Sequence, residues 1–351
     1  MRHSSVVDYK LEAPLCDDQL LWDSQLSVNL WPALLAADEL GVFSAISRSP
    51  ANAAELSTLL HVTERGAAAL LAILAAQGFL VSREGRFYLT ATAQTYLLPE
   101  SDFYWGGVFE QARRGSPPSP TSIIEAMRGL SYAGAGNSPF SGLPGEPPRK
   151  LSPESAPRTV RFQHSHTFPA AQGVARHGDF RGVTSLIDIA GGSGGLAIAI
   201  ALQHPAMRCA VGELPPVCDL AREYIRHFGL EGRVEAIELD MLEEPFPTGF
   251  DAVLFSNALH DWEPFRCTEL LRKAFDAVPD GGRVYVHETL LDDGRDGPTA
   301  AASLSLRMML GTRGSQFTFR DVKDMLGAAG FHDVTVTHTW GYCSLVMGIK
   351  N

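Results

Sequence analysis

Between Thr184 and Leu291 the chain carries five mostly apolar runs, TSLIDIAG, MRCAVGEL, VEAIELD, FDAVLFSNAL and RVYVHETLL, with helical patterns such as LAIAIALQHP, PVCDLAREYIRHF and CTELLRKAFDAV among them. A strand that alternates polar and apolar residues keeps one face in water, whereas a strand apolar throughout has to be covered on both faces. Such strands interleaved with helices predict an α/β fold, a doubly wound and mostly parallel sheet with helices on each side. No period of about 20 to 50 residues recurs along the chain, which excludes a solenoid or propeller.

In an open α/β sheet, ligands bind beyond the carboxyl ends of the strands, so chemistry is sought there. The first run ends in Asp188-Ile189-Ala190-Gly191-Gly192-Ser193-Gly194-Gly195 before a helix starts. Its glycines permit positive φ and a close approach of backbone to ligand; alone, such a turn also suits a dinucleotide or a plain strand-to-helix connection. The second run ends in Glu213, an acceptor for ribose hydroxyls. The third ends in Asp240-Met241, an acceptor beside a flexible apolar side chain suited to an adenine ring. After the fourth comes SNALHDWEP, which puts His260 where the sheet opens and Trp262 where an aromatic ring can cover a base.

From about Leu20 to Leu98 the apolar spacing is helical, in WPALLAADELGVFSAI and again in ERGAAALLAILAAQGFL, and GFLVSREGRFYLTATAQTYL reads as two short strands around a Glu-Gly turn. Helix, helix-turn-helix and hairpin in that order predict a winged helix. From Phe103 to about Leu151, and most densely over 115–157, Pro, Gly and Ser break the periodicity, so this stretch is expected to be a surface linker. The expected divisions are 1–102, a linker with helices bordering the site over 103–160, and the α/β domain over 161–351. Twenty-nine basic against forty acidic residues give a net charge of -11, which argues against nucleic acid and anionic membrane as partners. No apolar run reaches the roughly 20 residues of a membrane span, and the N-terminus carries charges where a signal peptide would be apolar, so a cytoplasmic location is expected. The five cysteines form no CxxC pair and are expected to be reduced.

Taken in order, IDIAGGSGG, GELPPV, ELDML, ALHDW, LRKAFDAVPDGGRVYVHETLLDD and LGAAGF resemble the S-adenosylmethionine-dependent small-molecule O-methyltransferases of plants and bacteria. The resemblance extends over nearly the whole chain and is weakest between about Phe103 and Leu151. It implies a methyltransferase sheet with an antiparallel last hairpin, an N-terminal dimerisation domain, a homodimer, S-adenosylmethionine as cofactor and a small specialised metabolite as acceptor. It further implies that Asp188, Gly191 and Gly192 cradle the methionine end of the cofactor and that Glu213 holds the ribose. Asp240 and Met241 would flank the adenine and Trp262 would stack on it. Ser256 stands where the family often has a cofactor-contacting lysine, so a charged contact is missing.

A hydroxyl acceptor has to lose its proton, and histidine suits that task because it titrates near neutrality. The resemblance makes His260 the general base and Glu288 the first of two carboxylates that orient it. At the second position this chain has Gln316, followed by Phe317 where an Arg is expected; Gln316 can orient through hydrogen bonds but carries no charge. Phe162, His166 and Met308 are the expected substrate contacts, with Arg307, Met309, Phe103, Tyr104 and Trp105 as further candidates, while Arg113 and Arg114 read as a solvated pair. His164 and His166 lie two apart on a helix and do not share a face. No metal is expected, with one alternative: His164 joining His260 and Glu288 around zinc or iron for C-methylation of an enolisable 2-oxo acid.

Readings from other classes are weaker. A DNA-binding regulator would need a basic recognition helix, and ERGAAALLAILAA offers only Arg65. A nicotinamide dehydrogenase shares the first turn but leaves ALHDW unexplained. A catalytically dead partner protein is opposed by the retained His260 and Glu288.

Overall fold

The computed structural model describes residues 14–130 and 151–351, and the chain divides into two units after Tyr104. The first unit runs through α1 (Gln19–Leu26), α2 (Leu30–Glu39), α3 (Val42–Arg48), α4 (Ala53–Leu60), α5 (Glu64–Ala76), β1 (Leu80–Arg83), β2 (Arg86–Leu89) and α6 (Ala91–Tyr96). Helix starts are set locally: Asn52 accepts from the Glu55 N–H while Glu55 accepts from the Asn52 N–H, and Thr63 caps α5. The hairpin closes through Glu84-Gly85, both at positive φ, as a two-residue loop between right-twisted strands requires. Leu34, Phe43, Ile46, Leu71 and Leu74 form this unit's core. Tyr104, a substrate candidate in the sequence, instead donates its hydroxyl to Asp38 at 2.6 Å and fastens α2.

The second unit starts with α7 (Gly106–Arg114) and α8 (Pro120–Met127), which lie in the stretch expected to combine a linker with helices. Its Ser and Pro are a start signal here, since Ser119 caps α8 with Pro120 in the first turn. What was expected of 131–150 lies outside the described residues. Arg113 and Arg114 are both exposed, as a solvated pair would be, and Arg114 lies 3.4 Å from Glu110 within α7. The helix α9 (Ala156–His177) follows, and α7 lies so close to it that a Cβ on Gly107 would fall 2.4 Å from the Arg161 carbonyl oxygen.

The alternation then appears in full: β3 (Ser185–Ile189), α10 (Gly195–Gln203), β4 (Arg208–Glu213), α11 (Pro215–His227), β5 (Val234–Glu238), β6 (Ala252–Ser256), α12 (Pro264–Ala277), β7 (Arg283–Thr289), α13 (Thr299–Gly311), α14 (Phe319–Ala329), β8 (His332–Trp340) and β9 (Cys343–Ile349). The sheet order is β5-β4-β3-β6-β7-β9-β8, with β3 to β7 parallel and β9 antiparallel to both neighbours. This is the expected doubly wound sheet with an antiparallel last hairpin. The strand order reverses at β3, which opens a crevice at the carboxyl ends of β3, β4 and β6. Ile187, Val253, Val284 and Val346 of the sheet share one core with Leu271 of α12 and Leu326 of α14. No single helix among the described residues is long and apolar enough to cross a membrane.

Candidate active site

Five strand ends bring their side chains to one rim of the sheet. At the first, Ala190, Gly192 and Gly194 all take positive φ, which turns the chain sharply from β3 into α10. The turn admits no side chain at Gly191, where a Cβ would lie 2.6 Å from Asp188 Oδ2. Glu213 reaches back across the crevice: its Oε1 accepts from the Gly192 N–H at 3.0 Å and its Oε2 from the Leu214 N–H at 2.9 Å. Burial pushes the Glu213 carboxyl up to about 7, and burial together with the Glu213 charge raises Asp188 well above the usual carboxylate range.

Asp188 Oδ1 is buried and has no hydrogen-bond partner among the described residues. A buried acceptor left unpaired costs about 1–3 kcal/mol; a ligand's ammonium group supplies the donor that Asp188 lacks, and a ribose diol can share the Glu213 oxygens with their backbone donors. The residues present therefore fit the expected cofactor. Asp240 and Met241 stand half-buried beyond β5. Their loop is fixed from below by Lys273, whose ammonium donates to the carbonyls of Met241, Leu242 and Glu244 at 2.8–2.9 Å.

Two of the expected cofactor contacts sit differently. Trp262 is 3% exposed and belongs to the core, so it presents no open face for stacking, and its indole N–H has no partner among the described residues. The large apolar ring is more stable covered by protein than at the rim. The Ser256 hydroxyl is engaged by His287 Nδ1 at 2.9 Å, across the β6–β7 pairing that sets these two residues side by side. His287 is fully buried, which lowers its pKa to about 4 and keeps the ring neutral.

His260 lies in a short 3-10 turn (Leu259–Asp261) just after β6. Its Nδ1 is 2.6 Å from Glu288 Oε2, and its Nε2 is 4.0 Å from Asp261 Oδ1. Burial works against a protonated ring, yet the Glu288 charge and hydrogen bond, with Asp261 behind them, push its pKa up to about 9. Glu288 is fully buried on β7 and also accepts from the His260 N–H at 3.4 Å. The backbone of the turn is clamped from outside, because a Cβ on Gly314 would fall 2.0 Å from the His260 carbonyl oxygen.

Gln316 does not act as expected. It is 1% exposed, yet neither end of its amide makes a hydrogen bond among the described residues. The second carboxylate beside the His260 ring is Asp261, adjacent in sequence and overlooked there because it reads as part of the ALHDW turn. Phe317, in place of the expected Arg, is buried in the core. The alternative metal set is not assembled either: His164 Nδ1 lies 2.7 Å from Ser193 Oγ and its ring stacks on Phe168, at the glycine turn instead of at Glu288. Among the described residues no group of three His, Cys, Asp or Glu side chains could hold a metal ion. The sequence reading also missed Gln163, whose Oε1 would lie 3.2 Å from a Cβ on Gly192. Burial holds the His166 ring below the ordinary histidine value, and the charges of Arg307 and His260 act in the same direction. The His166 ring centroid is 4.9 Å from that of Phe162, and Met308 is half-buried on α13.

Comparison with known proteins is consistent with this geometry. Residues 149–332 match the O-methyltransferase domain and residues 22–99 the O-methyltransferase dimerisation domain. The chain is 34% identical over 333 residues to a 3-hydroxy-5-methyl-1-naphthoate 3-O-methyltransferase of Streptomyces sahachiroi, covering 93% of this chain and 94% of that one. It is 29% identical to an L-tyrosine C(3)-methyltransferase of Streptomyces lavendulae, over 92% of this chain and 89% of that one. A solved structure of PigF with SAH superposes with a TM-score of 0.75 at 26% identity, covering 95% of this chain and all of the other. The chain belongs to the O-methyltransferase family and is an S-adenosylmethionine-dependent methyltransferase with its own dimerisation domain.

Proposed function

We propose that this enzyme methylates a hydroxyl oxygen of a small aromatic specialised metabolite, with His260 as general base and Glu288 as its orienting carboxylate. The observation that carries the reading is the 2.6 Å contact between His260 Nδ1 and Glu288. It commits Nδ1 and leaves Nε2 as the ring atom able to take the acceptor's proton, the division of labour of other histidine bases paired with a carboxylate. When bound, S-adenosylmethionine supplies a methyl carbon made electrophilic by its positive sulfur. Asp188, Gly191, Gly192 and Glu213 hold its amino-acid and ribose parts, and Asp240 and Met241 border its base. Phe162, His166 and Met308 border the acceptor.

Among the relatives, the Streptomyces sahachiroi enzyme is named for O-methylation of a hydroxynaphthoate and the Streptomyces lavendulae enzyme for C-methylation of tyrosine. The higher identity to the O-methylating relative, 34% against 29%, favours oxygen. Incubation with S-adenosylmethionine and either 2-naphthol or 3-hydroxy-2-naphthoate is expected to give a methoxy product, identified by NMR. Methyl found on a ring carbon overturns this reading.

We further propose a cytoplasmic homodimer built through the N-terminal helices. The helix α1 has eight residues and buries none of them, while Leu20, Leu21, Trp22 and Leu26 are all more than half exposed. An isolated helix of that length is marginal in water, and a second copy of this apolar segment supplies the missing cover. Sedimentation is expected to give twice the mass of one chain, and the double substitution Leu21→Asp, Leu26→Asp to give the single mass at micromolar concentration. A monomeric wild-type protein refutes this assembly.

A further inference from the structure

We propose that His287 is a positioning residue for the cofactor: it holds the Ser256 hydroxyl so that the serine proton is presented to the crevice, where it is donated to the carboxylate at the amino-acid end of S-adenosylmethionine. The inference rests on the placement of that end at Asp188 and is independent of the acceptor and of His260 as base.

Three observations carry it. First, Asp188, Ser256 and His287 form a row on one face of the sheet. Ile187, Ile189, Val253, Phe255, Val284 and Val286 share their core with residues of α12 and α14. Side chains alternate along a strand, so Asp188, Ser256 and His287 face the other way, where Tyr285 meets Phe180. The register pairs Asp188 with Leu254 and Ser256 with His287. Ser256 is thus the diagonal neighbour of Asp188, about 8 Å away between Cα atoms by strand geometry, at the crevice where the strand order reverses. Second, His287 fastens Ser256 on two sides. Its Nδ1 is 2.9 Å from Ser256 Oγ, and its carbonyl accepts from the Asn257 N–H at 3.0 Å. Asn257 takes positive φ, which turns the chain away directly after Ser256. Third, Asp188 Oδ1 and His287 Nε2 are both buried without a hydrogen-bond partner among the described residues. A ring buried with one nitrogen unsatisfied opposes folding, so its contribution is sought in the bond that it does make.

That orphaned nitrogen also decides the tautomer. Burial keeps the ring neutral, so one nitrogen carries a proton and the other a lone pair. A proton on Nε2 would be a buried N–H without an acceptor, the rarer kind of orphan. A proton on Nδ1 is instead donated to Ser256 Oγ. The serine's own proton is then unspent within the protein, and Ser256 is half-buried at the crevice. An α-amino acid carries its ammonium and its carboxylate on one carbon. With Asp188 taking the first, the second needs a donor on a rim where Glu213 and Asp240, at the ends of the next two strands, are acids. The hydroxyl supplies that donor, and a hydrogen bond to an ionised acceptor is among the stronger ones.

The test is calorimetric and needs no turnover. S-adenosylhomocysteine, which has the amino-acid end, is compared with 5′-methylthioadenosine, which lacks it. Ser256→Ala is expected to weaken S-adenosylhomocysteine by about tenfold, the scale of one hydrogen bond to a charged group, and to leave methylthioadenosine within about twofold of wild type. His287→Phe is expected to weaken S-adenosylhomocysteine by about three- to tenfold with the same selectivity, and His287→Asn, which keeps a side-chain donor, to recover part of the loss. The two losses are not expected to add: in the Ser256→Ala background, His287→Phe changes S-adenosylhomocysteine binding by less than about twofold. Nitrogen NMR of labelled protein is expected to show His287 protonated at Nδ1. Additive losses, equal losses for the two ligands, or a proton on Nε2 overturn the proposal. Ser256→Ala and the tautomer decide it even where His287→Phe does not fold. Equal binding of both ligands by the wild type removes the placement at Asp188 together with this proposal. A preference for S-adenosylhomocysteine that Ser256→Ala leaves intact removes only the role of Ser256 and His287.

Discussion

Replacing His260 with alanine is expected to lower kcat by about 10²- to 10⁴-fold, the usual contribution of a positioned general base. Binding of S-adenosylhomocysteine is expected to stay within about twofold of wild type, because the groups proposed to hold it stand at the ends of β3, β4 and β5, away from the turn after β6. The two readouts separate chemistry from cofactor binding: single-turnover rates measure the first and calorimetric titration the second. The substitution also leaves Glu288, which is fully buried, without its ring partner. An unpaired buried acceptor costs about 1–3 kcal/mol, so a lower Tm is expected as well. His260→Gln refills much of the space and offers Glu288 a donor, and it is expected to regain Tm without regaining turnover. Added imidazole is expected to restore part of the rate in His260→Ala, since the base is the missing piece. Turnover near the wild-type rate in either variant removes His260 from the mechanism.

Much of this site could be read from the sequence because a parallel sheet turns order along the chain into position in space. Once five apolar runs are recognised as adjacent parallel strands, Asp188, Glu213, Asp240, Ser256 and Glu288 all fall on one rim without any knowledge of tertiary contacts. The pairing of His260 with Glu288 follows the same logic, since β6 and β7 are neighbours in register. Elsewhere burial or local capping decided the outcome. Trp262 looks like a base-stacking residue in the string ALHDW, yet the core takes the ring. Gln316 carries the resemblance to an orienting residue, but the path of its loop leaves the amide without a partner among the described residues. The Pro- and Ser-rich stretch after Gly115 looks like a break, and Ser119-Pro120 uses the same residues to start α8. Gly314 gave no signal at all, because only its approach to the His260 carbonyl shows why a side chain is not tolerated there.

Glu288→Gln is expected to move the pH dependence of turnover, which a purely structural role for Glu288 would leave in place. His260 acts as a base only when neutral. With its pKa pushed up to about 9, wild-type kcat is expected to climb nearly tenfold per pH unit below that value and to level off above it. The glutamine side chain would keep the shape and one hydrogen bond but lose the charge that outweighs burial, so the inflection is expected to fall to the ordinary histidine value of about 6.5 or below. The variant's profile would then be flat over the range where the wild type rises, at a lower plateau, because a less basic ring is a weaker base. Stability gives an independent check of the same sign. A histidine whose pKa is raised by folding stabilises fully below its unfolded value of about 6.5, and that contribution is lost as pH climbs through about 9. Wild-type Tm should therefore decline over that interval more steeply than the variant's. The buried carboxyls Asp188 and Glu213 also titrate abnormally but are common to both proteins and cancel in the difference. An unchanged inflection in Glu288→Gln would show that the Glu288 charge does not set the basicity of His260.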